Sequence, residues 1–150
     1  MAVNPIPEGY NTVTPSLIVD GAEGLLEFIG KAFDGQVRLQ MPRADGGVMH
    51  AEIVVAGSAI MVGDSSPEYP AVQNASLHVY VENVDGVYQK ALDAGATSLQ
   101  EPQLMFYGDR TAEVRDQWGI RWAIATHVED VSEEEITKRL AEQYQLPAGG

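Results

Sequence analysis

The chain has no cysteine. That excludes disulfides, a thiolate nucleophile and thiolate metal ligands, and leaves any divalent metal to imidazole and carboxylate. Imidazole is scarce as well, with three histidines, His50, His78 and His127. Nine basic residues stand against 22 acidic ones, a net charge of −13. Such a shortage of cations argues against a protein that tracks a nucleic-acid backbone or lies on an anionic membrane surface. No run of about 20 apolar residues is present to span a bilayer, and Met1 to Tyr10 lacks the charged start and apolar core of a secretory signal. A cytoplasmic protein is expected, with its charge serving solubility.

What the chain does contain is a duplication. Val19 leads into a run from Leu25 to Lys31-Ala32-Phe33-Asp34-Gly35, and Val81 leads into a run from Val84 to Lys90-Ala91-Leu92-Asp93-Ala94-Gly95. Ala51-Glu52-Ile53 returns as Ala112-Glu113-Val114, and Gly57 to Met61 aligns with Gly119 to Ala123. The offsets cluster near 60 positions, being 62 for Val19 and Val81, 61 for Ala51 and Ala112, and 62 for Gly57 and Gly119. A repeat of this period marks duplicated supersecondary units that bury their apolar faces together.

Each copy reads as β-α-β-β-β. Ala22, Leu25, Leu26, Ile29, Ala32 and Phe33 recur at helical spacing, as do Val84, Val87, Tyr88, Ala91 and Leu92. Strand character marks Val13 to Val19, Val37 to Met41, Met49 to Val55 and Ala59 to Val62 in the first copy. In the second it marks Leu77 to Val81, Thr97 to Leu99, Thr111 to Arg115 and Ile120 to Thr126. Turns such as Ala44-Asp45-Gly46-Gly47 and Asp116-Gln117-Trp118-Gly119 separate them. Module one is expected over about 11–63, a linker carrying Pro67 and Pro70 over 64–74, and module two over about 75–127. Ser132 and Glu135 form a capping box that opens a last helix, expected over about 132–144, with Ile136, Leu140 and Tyr144 along one face. Modules of about 60 residues are too small to be comfortable alone, so a single domain spanning 1–150 is expected.

Period two assigns the strand faces. Leu77, Val79 and Val81 form an aliphatic face suited to a helix, which leaves Ser76, His78 and Tyr80 on the other. In the same way Ala51, Ile53 and Val55 meet the helix, and His50, Glu52 and Val54 face away. Met61 and Ala59, and later Ala123 and Ala125, share that second face.

The paired modules resemble the vicinal-oxygen-chelate superfamily of glyoxalases, bleomycin-resistance proteins and extradiol dioxygenases. Met49-His50-Ala51-Glu52, Tyr107-Gly108-Asp109-Arg110, Val114-Arg115-Asp116 with Gly119 and Trp122, and Ala125-Thr126-His127-Val128-Glu129-Asp130 resemble its PhnB-like branch. The resemblance runs from about Asn11 to about Ala141. It implies an α+β fold in which two βαβββ modules form cupped mixed β-sheets with helices outside, followed by the C-terminal helix. It also implies a homodimer, with cavities at or near the interface. In metal-dependent members each module supplies one ligand from its first strand and one from its last. Those positions here are Thr14, Met61, Ser76 and Ala123, and the internal repeat arrives at the same four. None is His, Asp or Glu, so neither a metal nor another cofactor is expected at that centre.

The function implied is therefore metal-free binding of a small molecule, sequestering a drug or metabolite. The expected ligand-binding residues are His50, Glu52, Met61, His78, Tyr80, Tyr107 and Arg110, with the Phe106-Tyr107 pair and Arg110 on a loop at the cavity mouth. Catalytic residues are not identifiable. One alternative is a metal-assisted lyase, isomerase or dioxygenase that uses His50, Glu52 and His78 as a displaced facial triad. Another is an interaction protein without a ligand. For the Tyr107 loop the plainer reading is a turn in which Gly108 takes a special backbone angle and Asp109 pairs with a neighbouring arginine. His127 reads as structural.

Overall fold

A computed structural model describes residues 2–144. Module one consists of β1 (Ser16–Val19), α1 (Ala22–Phe33), β2 (Gln36–Pro42), β3 (Val48–Val55) and β4 (Ser58–Asp64). Module two repeats the pattern with β5 (Ser76–Tyr80), α2 (Val84–Asp93), β6 (Thr97–Leu104), β7 (Asp109–Arg115) and β8 (Arg121–His127), and α3 (Glu133–Tyr144) follows. The strand orders are β1-β4-β3-β2 and β5-β8-β7-β6, so the topology is duplicated along with the sequence. In each sheet the first strand pairs parallel with the last and the other pairings are antiparallel. The α+β class and paired βαβββ modules are as expected. β1 begins three residues later than the apolar run at Val13, because Pro15 enters the ladder only through its carbonyl, which accepts from Met61 N. β6 runs on to Leu104 with Pro102 inside it, a residue tolerated on an edge strand.

Each helix covers one face of its own sheet. Leu25, Ile29 and Ala32 of α1 are fully buried with Ala51, Ile53 and Val62 beneath them, while Val87 and Leu92 of α2 pack partly buried against the same core. The two covered faces share that core. Phe33 lies 4.7 Å from Trp122 of β8 between ring centroids, and Phe28 lies 6.3 Å from both Trp118 and Trp122, within the range of favourable aromatic pairs. A Cβ on Gly24 would come within 2.8 Å of the Trp118 ring, so glycine lets that turn settle on α1. Asp116 organises the turn from inside. One carboxylate oxygen accepts Trp118 N and Ile120 N, each at 2.9 Å, and the other accepts Trp122 Nε1 at 2.8 Å. Burial raises its pKa even against these three donors.

The end of the last strand caps the helix of its own module. Asp64 Oδ1 accepts Gly21 N at 3.1 Å and Ala22 N at 2.8 Å, and Oδ2 accepts Val48 N at 2.6 Å. Thr126, 62 positions on, accepts Val84 N at 3.0 Å and donates to Val81 O. The linker also closes an edge, since Val72 N donates to Ile18 O of β1 at 2.7 Å. Burial alone would raise the Asp64 pKa, but the donors at Ala22, Val48 and Gly21, aided by Arg43, hold it below the usual value. Asp64 is therefore more acidic folded than unfolded. Its stabilisation is complete above the ordinary carboxylate range near pH 4 and disappears as pH falls through the folded value. Asp64→Asn, which turns an amide toward Val48 N–H, should lower the unfolding free energy by about 2 kcal/mol at neutral pH and by little in acid. Chemical denaturation at several pH values checks this, and an equal loss at all of them would contradict it.

Candidate functional site

The faces left uncovered by helices carry the polar chemistry. On β3, Ala51, Ile53 and Val55 are buried while His50, Glu52 and Val54 are partly exposed, the alternation read from sequence. Met61 of β4 lies beside both Ser16 and Glu52, and Leu39 and Met41 of β2 lie opposite Glu52 and His50. Glu52 takes Arg38 Nε at 2.9 Å, and its other oxygen stands 3.5 Å from His50 Nε2. The Arg38 guanidinium rests 4.8 Å over the Tyr10 ring, in cation–π range. Sequence reasoning missed both residues. A register shift between Val37 and Leu39 breaks the alternation that would have put Arg38 on the opposite face from Leu39, and Tyr10 precedes every periodic segment.

On the second sheet Ser76, His78 and Tyr80 are the exposed residues of β5, with Leu77 and Val79 turned to the core. His78 and Tyr80 lean together at 4.9 Å between ring centroids. Tyr80 donates its hydroxyl to Asp109 Oδ2 at 2.9 Å, and Asp109 is only 4% exposed. The other oxygen of Asp109 is 2.7 Å from His127 Nδ1, and His127 Nε2 is 2.7 Å from Asp130 Oδ1. Tyr80, Asp109 and His127 come from three neighbouring strands. Their meeting is set by register, because Tyr80 lies beside Ala125 and Asp109 opposite His127. With Tyr107, Val131 and Ile136 they line a pocket of about 520 Å³. Tyr107 meets Phe106 edge-on at 5.2 Å. Its pKa is raised, first by burial and then by the Asp109 charge, whereas that of Tyr80 is raised chiefly by its bond to Asp109.

Arg110, expected beside Tyr107 at a ligand, is turned to the helix side. It lies opposite Thr126, and its Nε and Nη2 make a bidentate pair with Asp85 of α2, each bond 2.8 Å. The loop does turn at Gly108, with φ +102°, where a Cβ would meet the Glu129 carbonyl. Asp109, however, pairs with a histidine and a tyrosine rather than with an arginine. A larger open cavity of about 1010 Å³ lies between the modules, bounded by Phe33, Val55, Val81 and Val87, with Lys90 and Asn83 at its rim.

The chemistry of the family's metal position can be tested on these side chains. Of the four positions expected, Thr14 precedes β1 and Ser76 lies beside Arg121, whereas register sets Met61 beside Ser16 and Ala123 beside His78. Hydroxyls, a thioether, a methyl and one imidazole do not make a ligand set for zinc, nickel or iron. His50 and Glu52 belong to one sheet and His78 to the other, and no strand of one sheet pairs with a strand of the other. Among the described residues no group of three or more His, Asp or Glu is placed to hold a metal ion.

The Tyr80 to Asp109 bond has a measurable signature. Asp109→Asn should bring the ionisation of Tyr80 down toward the ordinary phenol value near 10, as followed by the tyrosine ring carbon resonances. An unchanged Tyr80 titration would show that the bond does not govern this phenol.

Comparison with known proteins agrees with this architecture. The family model of the glyoxalase/bleomycin resistance protein/dioxygenase superfamily matches residues 10–124. Uncharacterized proteins of Mycobacterium bovis and Mycobacterium tuberculosis are each 30% identical over 153 residues, covering 95% of this chain and 98% and 88% of theirs. TioX from Micromonospora sp. ML1 shares the fold with a TM-score of 0.67 at 24% identity, over 79% of this chain and 99% of that one. A PhnB protein from Bacillus cereus, described as a putative 3-demethylubiquinone-9 3-methyltransferase, does so with a TM-score of 0.63 at 22% identity, over 77% and 99%. With a family model that spans most of the chain and relatives matched along nearly their whole length, this protein belongs to the glyoxalase/bleomycin resistance protein/dioxygenase superfamily.

Proposed function

We propose that this protein binds a small molecule without a metal, and that a second copy completes the cavity. The observation that carries this reading is the position of the candidate side chains. Both polar groups lie on sheet faces outside the shared core, and they leave Leu39, Met41 and Tyr80 at 41%, 40% and 62% exposure. One such face, laid against the opposite module of a partner chain, encloses a space with apolar walls and a few orienting polar groups, the usual composition of a ligand site. His50, Glu52 and Met61 supply one wall, and His78, Tyr80 and Tyr107 the other. Met61 is the adaptable element, since an unbranched thioether fits ligands of varied outline. Arg110 stands apart from these walls because its Nε–Nη2 edge is paired with Asp85 of α2. The mechanism is sequestration, in which an apolar body leaves water and the polar groups fix its orientation.

Three measurements test the reading. Sedimentation at micromolar concentration should give a dimer, and a monomer alone would count against the shared cavity. Elemental analysis of untagged protein should find no stoichiometric zinc, nickel or iron. A stoichiometric metal retained through dialysis would favour a metal-dependent lyase, isomerase or dioxygenase instead. A thermal-shift screen of small molecules should find compounds that stabilise the folded protein by mass action. His78→Ala should weaken such binding by about tenfold, the size of one lost hydrogen bond, with little change in unfolding temperature.

A further inference from the structure

We propose that His127 is a proton-operated latch. With both ring nitrogens protonated it ties Asp109 on the sheet to Asp130 on the connector to α3, and on losing a proton it lets go of Asp130. Both nitrogens stand 2.7 Å from carboxylate oxygens. Ionised carboxylates only accept hydrogen bonds, so the two contacts are satisfied together when both nitrogens donate, as in an imidazolium ring. A neutral imidazole has a single N–H and would turn its bare nitrogen toward one of the two carboxylates. Burial decides which contact survives. Asp109 is 4% exposed and also holds Tyr80, whereas the Asp130 side chain lies wholly in water.

The connector is fixed at both ends by bonds indifferent to that proton. The Val128 and Glu129 N–H groups donate to Gly108 O at 2.9 and 3.0 Å, and Arg139 reaches Glu129 and, at 3.1 Å, the Phe106 carbonyl. Asp130, Val131 and Ser132 lie between these anchors and line, with Tyr80 and Tyr107, the 520 Å³ pocket. Release therefore loosens that lining while α3 stays attached.

The groups around the ring set the direction. Asp130 first and Asp109 second raise the His127 pKa above its usual value. Tyr80 acts through Asp109, Tyr107 shares the pocket, and Glu82, Lys90 and Asp34 line the larger cavity on which the ring also borders. The folded pKa is raised, so the double contact is complete below the ordinary histidine value of about 6.5 and is lost as pH rises through the folded pKa. The latch is closed toward acid and opens toward alkali.

Nuclear magnetic resonance of the full chain tests this without a ligand. The ring signals of His127 are assigned by their absence from His127→Asn, and opening is read from the methyl groups of Val131, one of which lies against Gly108. The open-to-closed ratio should rise about two- to fivefold, the scale of one exposed ionic contact, with the same midpoint as the His127 ring. In Asp130→Asn that step should vanish and the His127 midpoint should fall, while the methyl groups of buried Leu25 stay unchanged. A Val131 response absent from the native chain, persisting in Asp130→Asn, or following the midpoint of His50 or His78 would overturn the latch. None of these outcomes bears on dimerisation or ligand binding, so the two readings stand or fall separately.

Discussion

The indole of Trp122, fully buried, packs against Phe28 and Phe33 from the first module and gives its N–H to Asp116 in the turn that leads back to its own strand. Removing a buried ring of this size typically costs about 3–5 kcal/mol, and here the loss would fall on both halves at once. Everything else about the architecture follows from that sharing. Because the helix-covered faces meet in one core, the opposite faces are turned outward. The polar groups on them are free to contact something other than their own chain. A carboxylate buried beside an indole is an unusual keystone, but it lets a single side chain hold the backbone of the Asp116 to Ile120 turn and the orientation of the ring together.

The duplication is faithful in architecture and loose in chemistry. Asp64 and Thr126 occupy the same place at the end of the last strand and do the same job at a helix start. The first does it with a charge and three backbone donors, the second with a hydroxyl that accepts once and donates once. Glu52 and Glu113, 61 positions apart, both pair with arginine on the open face, yet Arg38 comes from β2 and Arg121 from β8. The modules have kept their backbone requirements and exchanged the side chains that meet them.

Helices and strand faces were legible because both rest on periodicity, which burial imposes directly. Leu25, Ile29 and Ala32, or Ala51, Ile53 and Val55, could hardly be arranged otherwise with a core beside them. The site was only partly legible. The open-face placement of His50, Glu52, His78 and Tyr80 could be read because strands alternate without interruption there. Arg38 was lost at a register shift, and the Asp109 to His127 pair was lost because nothing in a sequence states which residues of β7 and β8 lie opposite one another. The face that Arg110 takes was hidden for a related reason. Adjacent residues of a strand point to opposite faces, so Asp109 and Arg110 could not both look into the same pocket, and only the pairing of Arg110 with Asp85 reveals which one does not.

The partnership of Phe28 with Trp122 also bears on how the chain is made. These rings stand 94 residues apart in the sequence, and β8, which carries the tryptophan, is synthesised after the seven other strands among the described residues. A nascent chain that has completed module one carries α1 and the strands β1 to β4, but it has no indole to cover Phe28 and Phe33. Those two rings stay uncovered by Trp122 until β8 leaves the ribosome. Contacts of such long range are slow to form, and exposed apolar surface in the interval invites aggregation. Residues 1–64 hold eight acidic and three basic side chains, a net −5 of the −13 on the whole chain, so charge repulsion between half-made copies is weaker than between finished ones.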